Sequence, residues 1–381
     1  MKHDEIRAAV AKLCEAYPGP YWRALDRERA YPSEFVAELT RSGFLAALIP
    51  QAYGGSGLPL GAAAAILEEI QAAGCNGASC HAQMYVMGTL LRHGSEEQKQ
   101  HWLPRIARGE LRLQAFGVTE PDSGTDTASI TTTARREGNH YIIRGAKIWT
   151  SRAEHSDLMI VLARTSPIAE GKKRTSGLSV FLLDLHEARK QGLTIDPIRT
   201  MMNHATTSIG FDDVPVPAEN LIGQEGEGFR YILSGMNAER ILIAAECVGD
   251  ARWFIDRSTA YAKERVVFGR PIGQNQGVQF PIARAYANMR AASLMVAEAL
   301  RRFEADEPCG PEANMAKMLA ADASFEAANV AIQTHGGFGF AEDYDIERKF
   351  RETRLYQVAP ISTNLILSHL AEHVLGLPRS Y

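Results

Sequence analysis

The sequence predicts a mostly α-helical protein with a central β domain, because its pattern changes twice along 381 residues. Apolar residues recur at helical spacing from Asp4 to about Gly109, in segments such as PSEFVAELTRSGF. Between Leu113 and Ile222 short β-branched runs alternate with Gly, Pro and Asp, as in antiparallel strands and hairpins. After GQEGEGF the helical period returns. This order does not fit a parallel nucleotide-binding sheet, in which strands and helices alternate.

The chain is longer than one hydrophobic core usually allows, so two or three domains are expected. The pattern predicts an N-terminal helical domain at 1–112, a middle antiparallel β domain at 113–226 and a C-terminal four-helix bundle at 227–381. Within the bundle, helical periodicity is strongest over residues 230–263, 280–304, 311–334 and 353–375.

Composition argues against several classes of function. Forty-one basic and 45 acidic residues give a net charge of −4, which offers no general attraction to nucleic acid or anionic lipid. No apolar run is long enough to cross a bilayer, and the N-terminal segment is charged and amphipathic rather than secretory. The five cysteines form no C-x-x-C pair, so neither disulfides nor a metal site is predicted. We therefore expect a cytoplasmic protein, or a matrix protein if the source has organelles and a presequence has been removed.

Two segments of the β region combine features that could bind a flat, polar ligand. The first, AFGVTEPDSGTD at 115–126, is placed at a helix-to-strand junction and offers backbone N–H groups and hydroxyls, although alone it is also an ordinary polar loop. The second, KIWTS at 147–151, ends a predicted strand. Its Trp149 could stack on a heterocycle beside small hydroxyl residues, or could equally belong to the core.

Two further segments interrupt the C-terminal helices. YAKERVVFGRPIGQNQ at 261–276 brings a cation, an aromatic ring and amides together, and Arg265 and Arg270 could hold pyrophosphate oxygens. The alternative is a solvated helix end followed by a turn. QTHGGFG at 333–339 contains Gly336 and Gly337, which could let the backbone approach a ligand or could simply cap a helix.

The four segments, in this order and on this layout, resemble the acyl-CoA dehydrogenase family over nearly the whole chain, most specifically at ERVVFGRPIG and QTHGGFG. The resemblance implies an acyl-CoA dehydrogenase-like fold, an FAD cofactor and an acyl-CoA substrate. It assigns the flavin ring to Phe116, Val118, Thr119, Trp149 and Ser151, and the dinucleotide end, across a subunit boundary, to Arg265, Phe268, Gln276, Gln333, Gly336 and Gly337. Thr125 is assigned to coenzyme A, Arg240 to the acyl pocket, and the assembly is expected to be a homotetramer.

The catalytic base is expected at Glu239. Many members carry a glutamate in a late turn, but here the matching segment YQVAPISTNLI has Pro360 at that position. The resemblance to isovaleryl-CoA dehydrogenase-like members, whose base precedes an arginine on an earlier helix, implies Glu239 in NAERILIAAE. The alternative is that Glu239 and Arg240 brace the helix. Because proline has no N–H, we expect Ile361 or Ser362 to supply the missing donor to the thioester carbonyl.

The predicted reaction is α,β-dehydrogenation of an acyl-CoA thioester to the trans-2-enoyl-CoA, with an electron-transferring flavoprotein or another carrier as electron acceptor. The position of the base weakly favours short or branched acyl groups as substrates. One alternative is a flavin-dependent monooxygenase or oxidase on the same fold, which the unusual APIST turn supports. Another is an acyl-CoA-binding protein without dehydrogenase activity.

Overall fold

The computed structural model describes residues 3–168, 171 and 173–379. Within these residues, α-helices come first, a β region follows, and long helices complete the chain, as the sequence predicts. The helices that precede the β region are α1 Asp4–Cys14, α2 Gly19–Glu28, α3 Ser33–Arg41, α4 Leu60–Ala72, α5 Ala78–His93 and α6 Glu96–Ala107.

The β region forms one sheet that begins and ends where the pattern predicts. Its elements are β1 Leu113–Gly117, β2 Thr133–Glu137, β3 His140–Ser151, β4 Leu158–Arg164, β5 Leu178–Asp184, α7 Leu185–Arg189, β6 Leu193–Pro197, β7 Thr206–Pro217 and β8 Leu221–Ile222. The strand order is β6-β7-β3-β2-β4-β5-β8, with β1 beside β4. Most neighbours are antiparallel, as expected, but β1 and β2 each pair with β4 in parallel.

Both faces of the sheet are covered at its centre. Successive side chains of a strand point to opposite faces, yet every residue from 158 to 163 of β4 is buried. Leu158 belongs to a cluster that includes Val86 of α5, whereas Met159 belongs to a second cluster with Phe211 of β7. The two apolar clusters explain why β4 is a continuous apolar run instead of an alternating one.

The C-terminal region consists of three long helices and two short ones. They are α8 Gly228–Glu264, α9 Gln276–Glu304, α10 Gly310–His335, α11 Ile346–Arg354 and α12 Thr363–His369, with a small hairpin, β9 Val266–Val267 and β10 Arg270–Pro271, between α8 and α9. The segment 353–375, predicted to be helical, is helical only in part, because α11 ends at Arg354, α12 begins at Thr363 and a π-helical turn continues to Val374. Pro360 lies in the gap, where proline disfavours helical backbone before it.

The chain folds into two compact units. The helical unit comprises Met1–Glu28, Pro59–Gly77 and Asn237–Tyr381, and the sheet unit comprises Arg29–Leu58 and Ala78–Met236. The N-terminal helices are therefore shared between both units, and the three-part division at 112 and 226 stays a prediction. Among the described residues, none of the helices combines the length and apolarity that a membrane span requires.

Candidate active site

The first two motif segments meet in the sheet unit. Residues 118–126 follow β1, so the segment leaves a strand and does not join a helix to a strand as predicted, because β1 already begins at Leu113. Hydrogen bonds from Ile148 and Lys147 fasten the loop to the end of β3. The Ile148 amide donates to the Thr119 carbonyl at 2.9 Å, and the Lys147 ammonium donates to the Val118 carbonyl at 3.0 Å. Segments 115–126 and 147–151 are thus one structural feature.

A buried ion pair anchors this feature. The Lys147 ammonium lies 2.8 Å from the Glu120 carboxylate, with the side chains 0% and 4% exposed. Glu120 also accepts hydrogen bonds from the Thr131 amide and hydroxyl and from the Thr132 amide. Burial alone raises the pKa of Glu120, but the Lys147 charge and these donors outweigh it and lower the pKa to about 2. Burial lowers the pKa of Lys147 to about 8, so both groups are charged at neutral pH.

Trp149 is not a core residue. Between Lys147 and Thr150 the register of β3 against β7 shifts, because three steps on β3 face two steps on β7. A β-bulge changes the direction in which a side chain points. Trp149 lies in this bulge, has a φ of 60°, and is 57% exposed. Its neighbour Ser151 accepts a hydrogen bond from the Asn203 amide at 2.8 Å. An exposed indole therefore lies two residues from an oriented hydroxyl, and a flat heterocycle can use both.

The other residues predicted to contact the flavin ring or coenzyme A lie in β1 and in the loop after it. Phe116 and Val118 are partly buried against the cluster that contains Val86, and the Phe116 ring contacts Tyr85 edge-on with centroids 5.7 Å apart. Thr125 is exposed in the loop after β1. The loop is shaped by paired backbone bonds between Glu120 and Ser123, both 3.1 Å.

Glu239 and Arg240 lie on α8 in the helical unit. Glu239 is 9% exposed, and the Arg240 guanidinium donates to the Asn237 side chain at 3.1 Å. Burial lowers the pKa of Arg240, and the charge of Glu239 partly offsets this. The structure therefore places a carboxylate in a largely dry setting.

The late turn around Pro360 is held by hydrogen bonds to the helices on either side of it. The carbonyl of Ile361 accepts a hydrogen bond from Lys317 of α10 at 2.7 Å. The Ser362 hydroxyl caps α12 by accepting from the Leu365 amide. The Pro360 position itself carries neither a carboxylate nor an N–H.

The third and fourth segments meet in the helical unit. Phe268 and Gly269 form the tip of the β9–β10 hairpin with φ values of 52° and 77°, as a two-residue turn of the primed type requires. The Phe268 ring is fully exposed, at 101% of its reference area. The Arg265 guanidinium lies 5.7 Å from the centroid of the Phe338 ring, which follows the Gly-Gly pair. Arg265 and the glycine segment therefore adjoin each other within one chain.

The glycine segment is open rather than packed. Gly336 ends α10 with a φ of 59°, and a Cβ added at Gly336 or Gly337 meets no atom within 4 Å. The predicted Gln276 and Gln333 are exposed as well. Glu264 and His335, which adjoin these segments in the sequence, line an open cavity of about 480 Å³. Phe268, Gln276, Gln333 and the two glycines are all exposed, so packing within the helical unit does not explain why these residue types stand here.

Sequence reasoning missed three residues that organise these sites. Lys147 stands inside the KIWTS motif, and β-strand alternation puts it on the same side as the buried Tyr141 and Ile143, so period-two counting would have flagged it. Lys317 and Asn203 gave no such signal, because their partners lie 44 and 52 residues away in the chain. Among the residues that the structure describes, no group of His, Cys, Asp and Glu is placed to hold a metal ion.

Three family models match consecutive parts of the chain: the N-terminal domain of acyl-CoA dehydrogenases at 1–110, the middle domain at 115–214 and the C-terminal domain at 226–375. The chain is 35% identical over 385 aligned residues to acyl-CoA dehydrogenase fadE12 of Mycobacterium bovis, covering 100% of this chain and 97% of the relative.

Two solved structures share the whole fold. The glutaryl-coenzyme A dehydrogenase glutaryl-CoA complex superimposes with a TM-score of 0.91 at 30% identity, covering 100% of this chain and 97% of the other. Butyryl-CoA dehydrogenase from Megasphaera elsdenii also has a TM-score of 0.91, at 27% identity and with 98% and 99% coverage.

Proposed function

The chain is a member of the acyl-CoA dehydrogenase family, and we propose that it converts an acyl-CoA thioester to the trans-2-enoyl-CoA with Glu239 as the base. The family match makes the protein an FAD-binding oxidoreductase that acts on acyl-CoA. It favours this activity over an oxygen-using flavoenzyme and over a binding protein without chemistry.

The residues of the sheet unit fit an isoalloxazine ring. A tryptophan that packed the core would be buried, whereas the bulge turns the Trp149 ring outward beside Ser151. FAD, when bound, supplies the acceptor for the hydride that leaves the β carbon. The chain's own contribution is to provide the aromatic face and to fix the Thr119 backbone and the Ser151 hydroxyl around it.

The burial of Glu239 carries the assignment of the base. An α proton beside a thioester is weakly acidic, so its removal requires a carboxylate whose basicity is raised by desolvation. Glu239 is 9% exposed on α8, and the late turn offers only Pro360 at the alternative position. The rate of anaerobic flavin reduction in a Glu239→Gln variant tests this role.

The thioester oxygen gains negative charge as the α proton leaves, and a missing protein donor costs on the order of 3 kcal/mol of barrier. With Pro360 unable to donate, we propose that the turn supplies the bond one or two residues later, from the Ile361 N–H or the Ser362 hydroxyl. The Ser362 oxygen already accepts from the Leu365 amide, which leaves its own proton available.

We propose a homotetramer in which Arg265, Phe268 and the Gln333–Gly337 segment complete the FAD site of a neighbouring subunit. The proposal is supported by the full exposure of Phe268 and by the open space at Gly336 and Gly337, which nothing within the unit explains. Arg265 is suited to the pyrophosphate because a guanidinium binds phosphate oxygens through two parallel hydrogen bonds.

Arg265→Ala is expected to weaken FAD retention by about 10- to 100-fold, since a hydrogen bond to a charged group contributes about 1.5–3 kcal/mol. Tetramer stability should fall with it, because cofactor and assembly are linked. Fluorescence titration with FAD and light scattering measure the two effects. Arg301→Ala is the control, because this exposed arginine of α9 pairs with Glu298 and Glu307. A monomer that holds its full FAD would contradict the shared site.

For the electron acceptor we propose an electron-transferring flavoprotein, the usual partner in this family. For the acyl group we propose a short or branched chain, because the position of the base favours one. The likeness to butyryl-CoA dehydrogenase is consistent with a short chain.

A further inference from the structure

Arg92 stands on α5 without an anionic partner. Its side chain is exposed, and among the residues that the structure describes neither a carboxylate nor a carbonyl accepts a hydrogen bond from it. Solvent reaches the side chain, yet crowding by the surrounding chain lowers the pKa of Arg92, and no opposite charge offsets this. A guanidinium carries five N–H donors, so a partly desolvated one without an acceptor is a ready site for an anion.

Two glycines leave room for this guanidinium. Gly88 lies one turn earlier on α5, and a Cβ added there would lie 3.0 Å from the Nη2 atom of Arg92. Gly235 lies in the first turns of α8, and a Cβ added there would lie 2.6 Å from the same nitrogen. All three residues belong to the sheet unit. Glycine weakens the interior of a helix relative to alanine, so the space that the guanidinium occupies gives both glycines a reason.

A second arginine adds to the positive charge beside this place. His93 follows Arg92 on α5, and its ring stacks on Tyr231 of α8 with centroids 4.4 Å apart. The Arg230 guanidinium lies 5.1 Å from the centroid of the same Tyr231 ring. Arg230 pairs with Glu227 at 3.1 Å, whereas Arg92 has no such partner within the described residues. Positive charge therefore exceeds negative charge here, although the whole chain carries a net charge of −4.

The same face of α5 leads towards the predicted flavin ring. Tyr85, whose ring contacts Phe116, precedes Arg92 by seven residues, which is two turns or about 10 Å along the helix. Because Phe116 is predicted to contact the flavin, the reacting carbons of the thioester are expected on its side. The phosphates of coenzyme A lie at the far end of the pantetheine chain from those carbons. A guanidinium binds such phosphate oxygens through two parallel hydrogen bonds.

We propose that Arg92 binds a phosphate of the coenzyme A part of the substrate, in the space that Gly88 and Gly235 leave for its guanidinium. The inference rests on the proposed function, of which it uses the acyl-CoA substrate and not the base. The phosphate is the 3′-phosphate or the pyrophosphate, which present the same anionic oxygens. Arg92 contributes to the affinity for the thioester and takes no part in the chemistry.

The test compares how the FAD-loaded, oxidised protein binds crotonyl-CoA, crotonyl-3′-dephospho-CoA and crotonyl-pantetheine, measured by calorimetry. These thioesters already carry the double bond, so binding is measured without turnover. The wild type should bind crotonyl-CoA at least about tenfold more tightly than crotonyl-pantetheine, which has no phosphate. Arg92→Met should weaken crotonyl-CoA by about 10- to 100-fold, the effect of losing hydrogen bonds to a charged group, and should leave crotonyl-pantetheine almost unchanged. If Arg92→Met also weakens the dephospho thioester, the pyrophosphate is the ligand; if it does not, the 3′-phosphate is.

Gly235→Ala tests the space beside the guanidinium. Alanine favours the helix, but its Cβ would displace the Arg92 side chain, so crotonyl-CoA should bind more weakly while crotonyl-pantetheine binds as before. Arg144→Met is the matched control, because this exposed arginine of the sheet unit already pairs with Asp213 at 2.9 Å. It should change neither affinity.

A wild type without preference for crotonyl-CoA over crotonyl-pantetheine, including one that binds neither, would overturn the phosphate site. Equal losses for both thioesters in Arg92→Met would overturn it as well. If Arg92→Met does not fold, an unchanged preference in Gly235→Ala has the same consequence. The proposed function fails separately: a protein that shows the expected binding pattern, but whose flavin no saturated acyl-CoA reduces, keeps the phosphate site and loses the dehydrogenase assignment.

Discussion

A Glu239→Gln variant is expected to bind FAD and acyl-CoA almost normally but to reduce its flavin about 10²- to 10⁴-fold more slowly, the usual effect of a lost general base. Glutamine keeps the size of the side chain and its capacity for hydrogen bonds, so the buried site should still form. What it removes is the ability to take up the α proton. Anaerobic stopped-flow measurement of flavin bleaching gives the rate.

Glu246→Gln provides the control on the same helix. Glu246 is 1% exposed on α8 and accepts a hydrogen bond from the Tyr356 hydroxyl at 2.9 Å. Its replacement should change stability but leave the rate of flavin reduction within a few-fold of wild type. Equal rates in wild type and Glu239→Gln would exclude Glu239 as the base, and a Glu239→Gln protein that does not fold would favour the bracing role instead.

Lys147→Met is expected to lower the free energy of unfolding by about 3–5 kcal/mol, because it leaves the buried charge of Glu120 without its partner. The loop that carries Val118 and Thr119 should loosen, and FAD binding should weaken with it. Thermal or urea unfolding of the FAD-free protein measures the first effect. Lys190→Met is the control, since its pair with Glu187 has a similar distance of 2.7 Å but side chains 68% and 60% exposed. Such a surface pair contributes roughly 0–1 kcal/mol.

The same ion pair predicts that the stability of the protein depends on pH in the acid range. The pKa of Glu120 is about 2 in the folded protein against 4.5 for an unperturbed glutamate. A carboxylate whose folded pKa is depressed stabilises the protein above pH 4.5, and that contribution, of order 3 kcal/mol, is lost as the pH falls towards 2. Glu120→Gln should therefore be less stable at pH 7 but should lose stability less steeply between pH 4.5 and 2. Parallel curves for the two proteins would contradict the assignment.

The strand region could be located from the sequence because its signals are local. Short β-branched runs and turn residues place its limits at Leu113 and Ile222, where the strands begin and end. The exposure of Trp149 could not be derived in this way, because it depends on the register of β3 against β7, a strand more than 50 residues later. Local pattern alone left the ring as either ligand contact or core.

Non-local contacts also explain why one helix prediction was right only in part and why some residues were missed at the other sites. The apolar spacing over 353–375 is compatible with a helix, but Pro360 and the capping of α12 by Ser362 divide the segment. The Lys317 bond joins two residues 44 positions apart, and no spacing rule connects them. Candidate residues on short motifs were accessible from sequence, and so was Lys147, whereas Lys317 and Asn203 were not.

The central claim is that this chain dehydrogenates an acyl-CoA, and anaerobic titration of the purified, FAD-loaded protein tests it most directly. The panel should contain short straight-chain, branched and longer acyl-CoA thioesters, with absorbance of the oxidised flavin as the readout. At least one short or branched thioester is expected to bleach the flavin stoichiometrically, and the same thioester should bleach Glu239→Gln only slowly. If thioesters bind measurably but none reduces the flavin, the protein is not an acyl-CoA dehydrogenase in function.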